Sequence, residues 1–300
     1  MTENNAKFVS TEWLEAHLED EGLRIIDATT FLKVPEEGND TKVWSGREEY
    51  EKSHIPGAVF ADILGEFSDP EGPYSFAVIG HEEFTDKMED LGVSDESFVV
   101  IYDRGAQVDV DFEASDWASR LAWQLKFEGF DNVAILDGGF NKWTKEGRPT
   151  TDEIVTPEKG DLNITRRPEL YASKEDVLKA IDDDNVVILD SLSPANYNGE
   201  TETYARPGHI KGAVNVFFGD LANPETGEVY DDEKLKERFE AVGALDEDKK
   251  VITYCGGAIA ATWTQYLLNK LGQDNVAVYD GSLSEWAADE SLPMETKDSE

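Results

Sequence analysis

An α/β fold of two tandem domains, each a mainly parallel central sheet flanked by helices, is predicted by three observations. Four segments of the 300-residue chain occur twice, in the same order. Short runs of β-formers alternate with longer helical patterns in both copies. One stretch between the copies is polar and lacks any periodicity. The repeats are "LRIIDATT" (23–30) with "VVILDSLS" (186–193), "HIPGAVF" (54–60) with "HIKGAVN" (209–215), "FVVIYDRG" (98–105) with "KVITYCGG" (250–257), and "VAILDGGFNKW" (133–143) with "VAVYDGSLSEW" (276–286). A shared order at near-constant offset means that a whole domain was duplicated; a solenoid would repeat at a much shorter period.

The elements follow in order. Phe98–Tyr102 is apolar and β-branched, as a buried strand should be, and the helical pattern Trp117–Phe127 comes after it. Val251–Tyr254 and Ala260–Leu271 repeat that pair in the second copy. Strand–helix alternation of this kind argues for parallel sheets. The segment 150–170 contains Pro157 and Gly160 and has no helical spacing. It divides the chain into an N-terminal domain (1–150), a linker (151–165) and a C-terminal domain (166–300).

Composition narrows the function. Acidic residues number 65 against 27 basic ones, a net charge of −38 spread through both halves. Nucleic acid is therefore excluded as a partner, and a single acidic tail does not explain the charge. No EF-hand spacing accompanies it. Adaptation to molar salt does explain it, because the Debye length there is about 3 Å and self-repulsion is screened. No apolar run approaches the roughly 20 residues that span a bilayer, so no membrane is expected. The start, "MTENNAKFVS", lacks a signal pattern, which predicts a cytoplasmic protein. One cysteine, Cys255, rules out an intramolecular disulfide and a cysteine-ligated metal site.

Cys255 stands where a strand ends and a helix begins. At a helix N-terminus the first N–H groups lack intrahelical partners, and the dipole presents about half a positive charge. The loop amides of Gly256, Gly257, Ala258, Ile259 and Ala260 are placed to stabilise a thiolate. The two glycines are expected to accept unusual dihedrals there. The competing reading is a buried structural thiol. The first copy has Asp103 at the matching position, and its stretch from Asp103 to Asp137 is longer than that from Cys255 to Asp280. The extra residues fall in "RGAQVDVDFEAS" (104–115), which suggests one working site and one converted into a wall.

Paired "HI(P/K)GA", "YC" in the second copy only, and "DG(G/S)xxxW" closing each copy resemble the tandem-domain rhodanese family, the thiosulfate and 3-mercaptopyruvate sulfurtransferases. The likeness covers roughly residues 8 to 288. It implies two rhodanese-like domains, a catalytically inactive first one, and a Cys255 persulfide that carries sulfane sulfur. The donor would be thiosulfate or 3-mercaptopyruvate, the acceptor cyanide or a thiol, with no metal and no organic cofactor. Mercaptopyruvate-specific members usually have an uncharged, glycine-rich loop, which this one resembles more. Both groups tend to place an arginine shortly after the "LD" strand, where this chain has Leu192 and Asn196. Arg206 in "YARPGHI" is the nearby cation, read either as a donor-binding residue or as a surface residue. Asp190 either orients the loop amides or Arg206, or serves the fold as Asp27 would. A related Cys-x5-Arg phosphatase is excluded, because Ala261 stands where its arginine would be. A non-turnover persulfide carrier remains the alternative. His54 and His209 are expected to be structural, Trp143 and Trp286 core, and Phe112 either core or a wall over the persulfide.

The charge reading has a direct consequence. Dialysis from molar salt to a few millimolar should unfold the protein, which far-ultraviolet circular dichroism will register as loss of the native spectrum.

Overall fold

The computed structural model describes residues 7–35 and 41–297. In the first half, a five-stranded sheet runs in the order Phe8–Val9, Val133–Leu136, Phe98–Tyr102, Leu23–Asp27, Val59–Phe60. In the second, the order is Tyr171–Ala172, Val276–Tyr279, Lys250–Tyr254, Val186–Asp190, Val214–Asn215. Corresponding strands occupy corresponding places, and every pairing in both sheets is parallel. The predicted fold class holds. In the middle strand of each sheet the four residues after the first are buried, because helices cover both faces.

The helix that follows each middle strand forms the junction between the halves. Asp116–Glu128 is buried along its whole length, and Ile259–Lys270 is buried from Ile259 to Leu268. They pack on each other, and the Ser119 and Thr262 hydroxyls meet at 3.1 Å between them. Each helix also anchors the opposite sheet. Tyr266 donates its hydroxyl to the Lys7 carbonyl at 2.6 Å, just ahead of the edge strand Phe8–Val9. Trp123 donates its indole N–H to the Leu170 carbonyl at 3.2 Å, just ahead of the edge strand Tyr171–Ala172. A hydrophobic core continuous across the junction contains residues of both helices, Trp117 and Trp263 among them.

Residues 152–167 carry no helix or strand and lie against the first domain. Gly160 N–H donates to Glu89 O at 2.7 Å, and Asn163 N–H to the Asp95 carboxylate at 2.8 Å. A Cβ on Gly160 would sit 1.9 Å from the Val93 carbonyl oxygen, so only glycine permits this approach. Among the described residues, no helix is long and apolar enough to cross a membrane.

Candidate active site

Cys255 follows the C-terminal end of the middle strand Lys250–Tyr254, where open parallel sheets place ligands. It is 3 % exposed and opens onto a cavity of about 520 Å³ between the two domains. Leu32, Phe76, Phe112 and Trp117 of the first domain line one side. Asn196, Tyr204, Phe217, Ile259 and Ala260 of the second line the other. Phe112 packs edge-on against Phe217 and Phe218, at 5.2 Å from each, so it walls the cavity across the domain junction. No lysine, arginine or histidine belongs to the described lining.

The turn from strand to helix aims backbone amides at the sulfur. Ala258 takes the left-handed conformation, with φ of 61°, and the helix starts at Ile259. Burial pushes the Cys255 thiol above its ordinary range; the N–H groups of Ala261, Gly257 and Gly256 pull it down, and the Asp190 carboxylate pushes it up. The amide cradle is there, set against the loss of water. The helix-end electrostatics expected from the sequence acts on this sulfur, and the cost of moving an anion out of water opposes it. Neither Gly256 nor Gly257 takes a positive φ, against the expectation of unusual dihedrals there. Gly256 and Gly257 are required for space, since a Cβ on Gly256 would lie 2.0 Å from the Tyr204 hydroxyl oxygen, and one on Gly257 2.9 Å from the Phe76 ring.

The first domain has the same cradle filled by a carboxylate. Asp103 accepts from Gly105 N–H at 3.1 Å and from Ala118 N–H at 2.9 Å. Gly257 and Ala261 hold the matching places beside Cys255. Burial raises the Asp103 carboxyl to about 7.

Arg206 is not a residue of the cavity. Its guanidinium donates to the carbonyls of Trp286, Ala287, Asp289 and Leu292 at 2.7–2.9 Å, closing the C-terminal end of the helix Ser282–Trp286. All its reach is spent on backbone, so the expectation that it binds a donor anion is overturned. Asp190 is fully buried at the end of its strand and accepts from Leu192 N–H at 2.7 Å. It does not line the cavity; it bears on Cys255 through its charge, and burial raises its own carboxyl to about 7. His54 and His209 are buried, each with Nδ1 at 2.7 Å from a backbone carbonyl, of Tyr50 and Tyr197 respectively. Trp143 and Trp286 lie in the two domain cores.

Two site residues escaped sequence reasoning. Ala261 contributes an amide, invisible in a side-chain pattern, though its first-domain counterpart Ala118 does the same for Asp103. Tyr204 stands two residues from Arg206 in the same "YARPGHI" segment, and it, not the arginine, reaches the loop.

A family model described as the rhodanese-like domain matches residues 10–146 and 173–289. The chain is 32% identical over 291 residues to the 3-mercaptopyruvate sulfurtransferase of Escherichia coli (strain K12), covering 96% of this chain and 97% of that one. It is 32% identical to the thiosulfate sulfurtransferase of Bos taurus, over 93% and 91% of the two chains. It is 31% identical to the sulfur carrier protein TtuD of Thermus thermophilus, over 95% of each. Among solved structures, the 3-mercaptopyruvate sulfotransferase SseA from Escherichia coli superposes with a TM-score of 0.77 at 32% identity, over 93% of this chain and 99% of that one.

Two variants test the assignments. Arg206→Ala should lower stability by about 2–4 kcal/mol, through lost hydrogen bonds to buried carbonyls, and leave donor KM within about twofold. Asp190→Asn should lower the midpoint at which the Cys255 thiol ionises, read by ultraviolet absorbance, because one negative charge is gone. The same variant bears on stability. A carboxyl raised to about 7 in the fold keeps its proton where the unfolded chain has already released it, so its contribution is present at acid pH and lost as pH climbs from about 4 to 7. In molar salt the thermal midpoint should fall across that window, and less steeply in the variant.

Proposed function

Since the chain belongs to the rhodanese-like domain family, we propose that it is a sulfurtransferase whose Cys255 sulfur carries the transferred atom. The single observation that supports this most is the trio of backbone amides converging on the chain's lone thiol at the floor of an interdomain cavity. The thiolate attacks the outer sulfur of thiosulfate, the sulfur–sulfur bond breaks, and sulfite leaves with the electron pair. With 3-mercaptopyruvate a carbon–sulfur bond breaks instead, and pyruvate forms once the enolate takes a proton. In the second half-reaction a thiolate or cyanide attacks the outer persulfide sulfur and the Cys255 thiolate departs.

The cavity bears on how the donor is held. Without a cation in the described lining, an anionic donor is met by amides of the loop and by neutral groups such as Ser193, Asn196 and Tyr204. The uncharged, glycine-rich loop resembles that of mercaptopyruvate-specific members, which favours 3-mercaptopyruvate over thiosulfate as the donor. The first domain is non-catalytic: its Asp103 occupies the cradle where a sulfur would have to sit. Ala261 leaves phosphoryl transfer without its arginine. The acidic surface suits molar salt, where screening removes the long-range repulsion of an anionic donor.

A second reading, a persulfide carrier without turnover, draws on the burial of Cys255 and its raised thiol. Mass spectrometry separates the two. Treatment with either donor should add about 32 Da, one sulfur atom, and Cys255→Ser should abolish the addition. Turnover to cyanide or dithiothreitol supports the enzyme; loading without turnover supports the carrier; no loading removes Cys255 from sulfur chemistry.

A further inference from the structure

The loop Asp280–Ser284 grips the backbone of Cys255 from behind. Leu283 N–H donates to the Cys255 carbonyl at 3.0 Å. Ser284 gives the Gly256 carbonyl both its N–H, at 2.9 Å, and its hydroxyl, at 2.6 Å. The Ser282 hydroxyl oxygen accepts from Cys255 N–H at 3.1 Å and donates to the Tyr279 carbonyl at 2.9 Å. A trans peptide is planar, with its C=O and N–H on opposite sides. Holding the Cys255 carbonyl toward Leu283 therefore turns the Gly256 N–H the other way. Holding the Gly256 carbonyl toward Ser284 does the same for the Gly257 N–H. Those are two of the three amides directed at the sulfur.

The loop itself is fixed by the first domain. Asp280 is fully buried; its Oδ1 accepts from Arg120 Nη1 at 2.7 Å, and its Oδ2 accepts from Val78 N–H at 3.0 Å and the Tyr74 hydroxyl at 3.2 Å. Arg120, equally buried, spends its Nη2 on the Phe76 carbonyl at 2.6 Å. We propose that Asp280 and Arg120 are a positioning pair, through which the first domain sets the aim of the Gly256 and Gly257 amides at Cys255. This rests on Cys255 being the sulfur-carrying residue.

The duplication supplies its own control. Asp137, the counterpart of Asp280, likewise crosses the junction, accepting from Val229 N–H at 2.8 Å. Its loop likewise holds the matching backbone, with Phe140 N–H on the Asp103 carbonyl at 2.9 Å. That chain of contacts ends at a carboxylate, not at a thiol.

Asp280→Ala and Asp137→Ala each remove one carboxylate that crosses between domains. The double variant R120M/D280A removes both charges of the pair, so that no unpaired guanidinium is left to prevent folding. The titratable groups facing Cys255 are Asp190 and Tyr204, with Asp116 in the same cavity wall, and none of the variants alters them. In Asp280→Ala and in the double variant, the ultraviolet midpoint of the Cys255 thiol should rise by about one pH unit, and persulfide formation should slow about tenfold with donor KM within about twofold. Asp280→Asn, which keeps one oxygen acceptor, should recover part of the rate. Asp137→Ala should lower the thermal midpoint and leave thiol and rate at wild-type values. Wild-type thiol midpoints in a folded double variant, or equal shifts in Asp137→Ala, would overturn the proposal, because either result assigns the pair to interface stability alone. If the wild-type protein fails to load sulfur, the reading of Cys255 falls, whereas the difference in thiol midpoint between the Asp280 and Asp137 variants still judges the positioning.

Discussion

The contact between the helices Asp116–Glu128 and Ile259–Lys270 is the constraint on which the molecule is built. Each helix follows the middle strand of its sheet, so each starts at the loop where chemistry would take place. Packing them together, with Ser119 against Thr262, brings both loops to one junction. The cavity is a result of that closure: half its wall comes from a domain that has no thiol. Retaining a copy without a thiol then has a physical reason, since removing it would leave Cys255 facing water and the apolar faces of Trp117 and Trp263 uncovered.

Within that closed junction the sulfur is subject to opposed terms. Low dielectric strengthens each amide's pull on a thiolate and also raises the cost of forming one. A donor beside the sulfur would bring atoms onto which the negative charge moves. The Asp103 site shows the alternative resolution of the same geometry, in which a carboxylate accepts the amides permanently.

Much of this was legible in the sequence. The four duplicated segments became two sheets of identical strand order, because hydrophobic period and turn residues recur together in each copy. The position of Cys255 between strand and helix was legible for the same local reasons. What failed was direction. Arg206 is close to the site in sequence, yet its guanidinium points to the far end of the helix Ser282–Trp286, a choice made by four carbonyls from another segment. Asp280 was visible only as part of a repeat, since its partners Val78 and Arg120 lie in the other domain. Gly256 and Gly257 were assigned to backbone freedom, when the reason for them is the nearness of Tyr204 and Phe76, which no local pattern encodes.

Those two aromatic neighbours also constrain how such a loop can diversify. A side chain at position 256 would collide with the Tyr204 hydroxyl, and one at 257 with the Phe76 ring. Tyr204 and Phe76 come from different domains, so a larger side chain at 256 asks the second domain to give way and one at 257 asks the first. Which side chains this loop can carry is therefore coupled to the size of one aromatic neighbour from each domain.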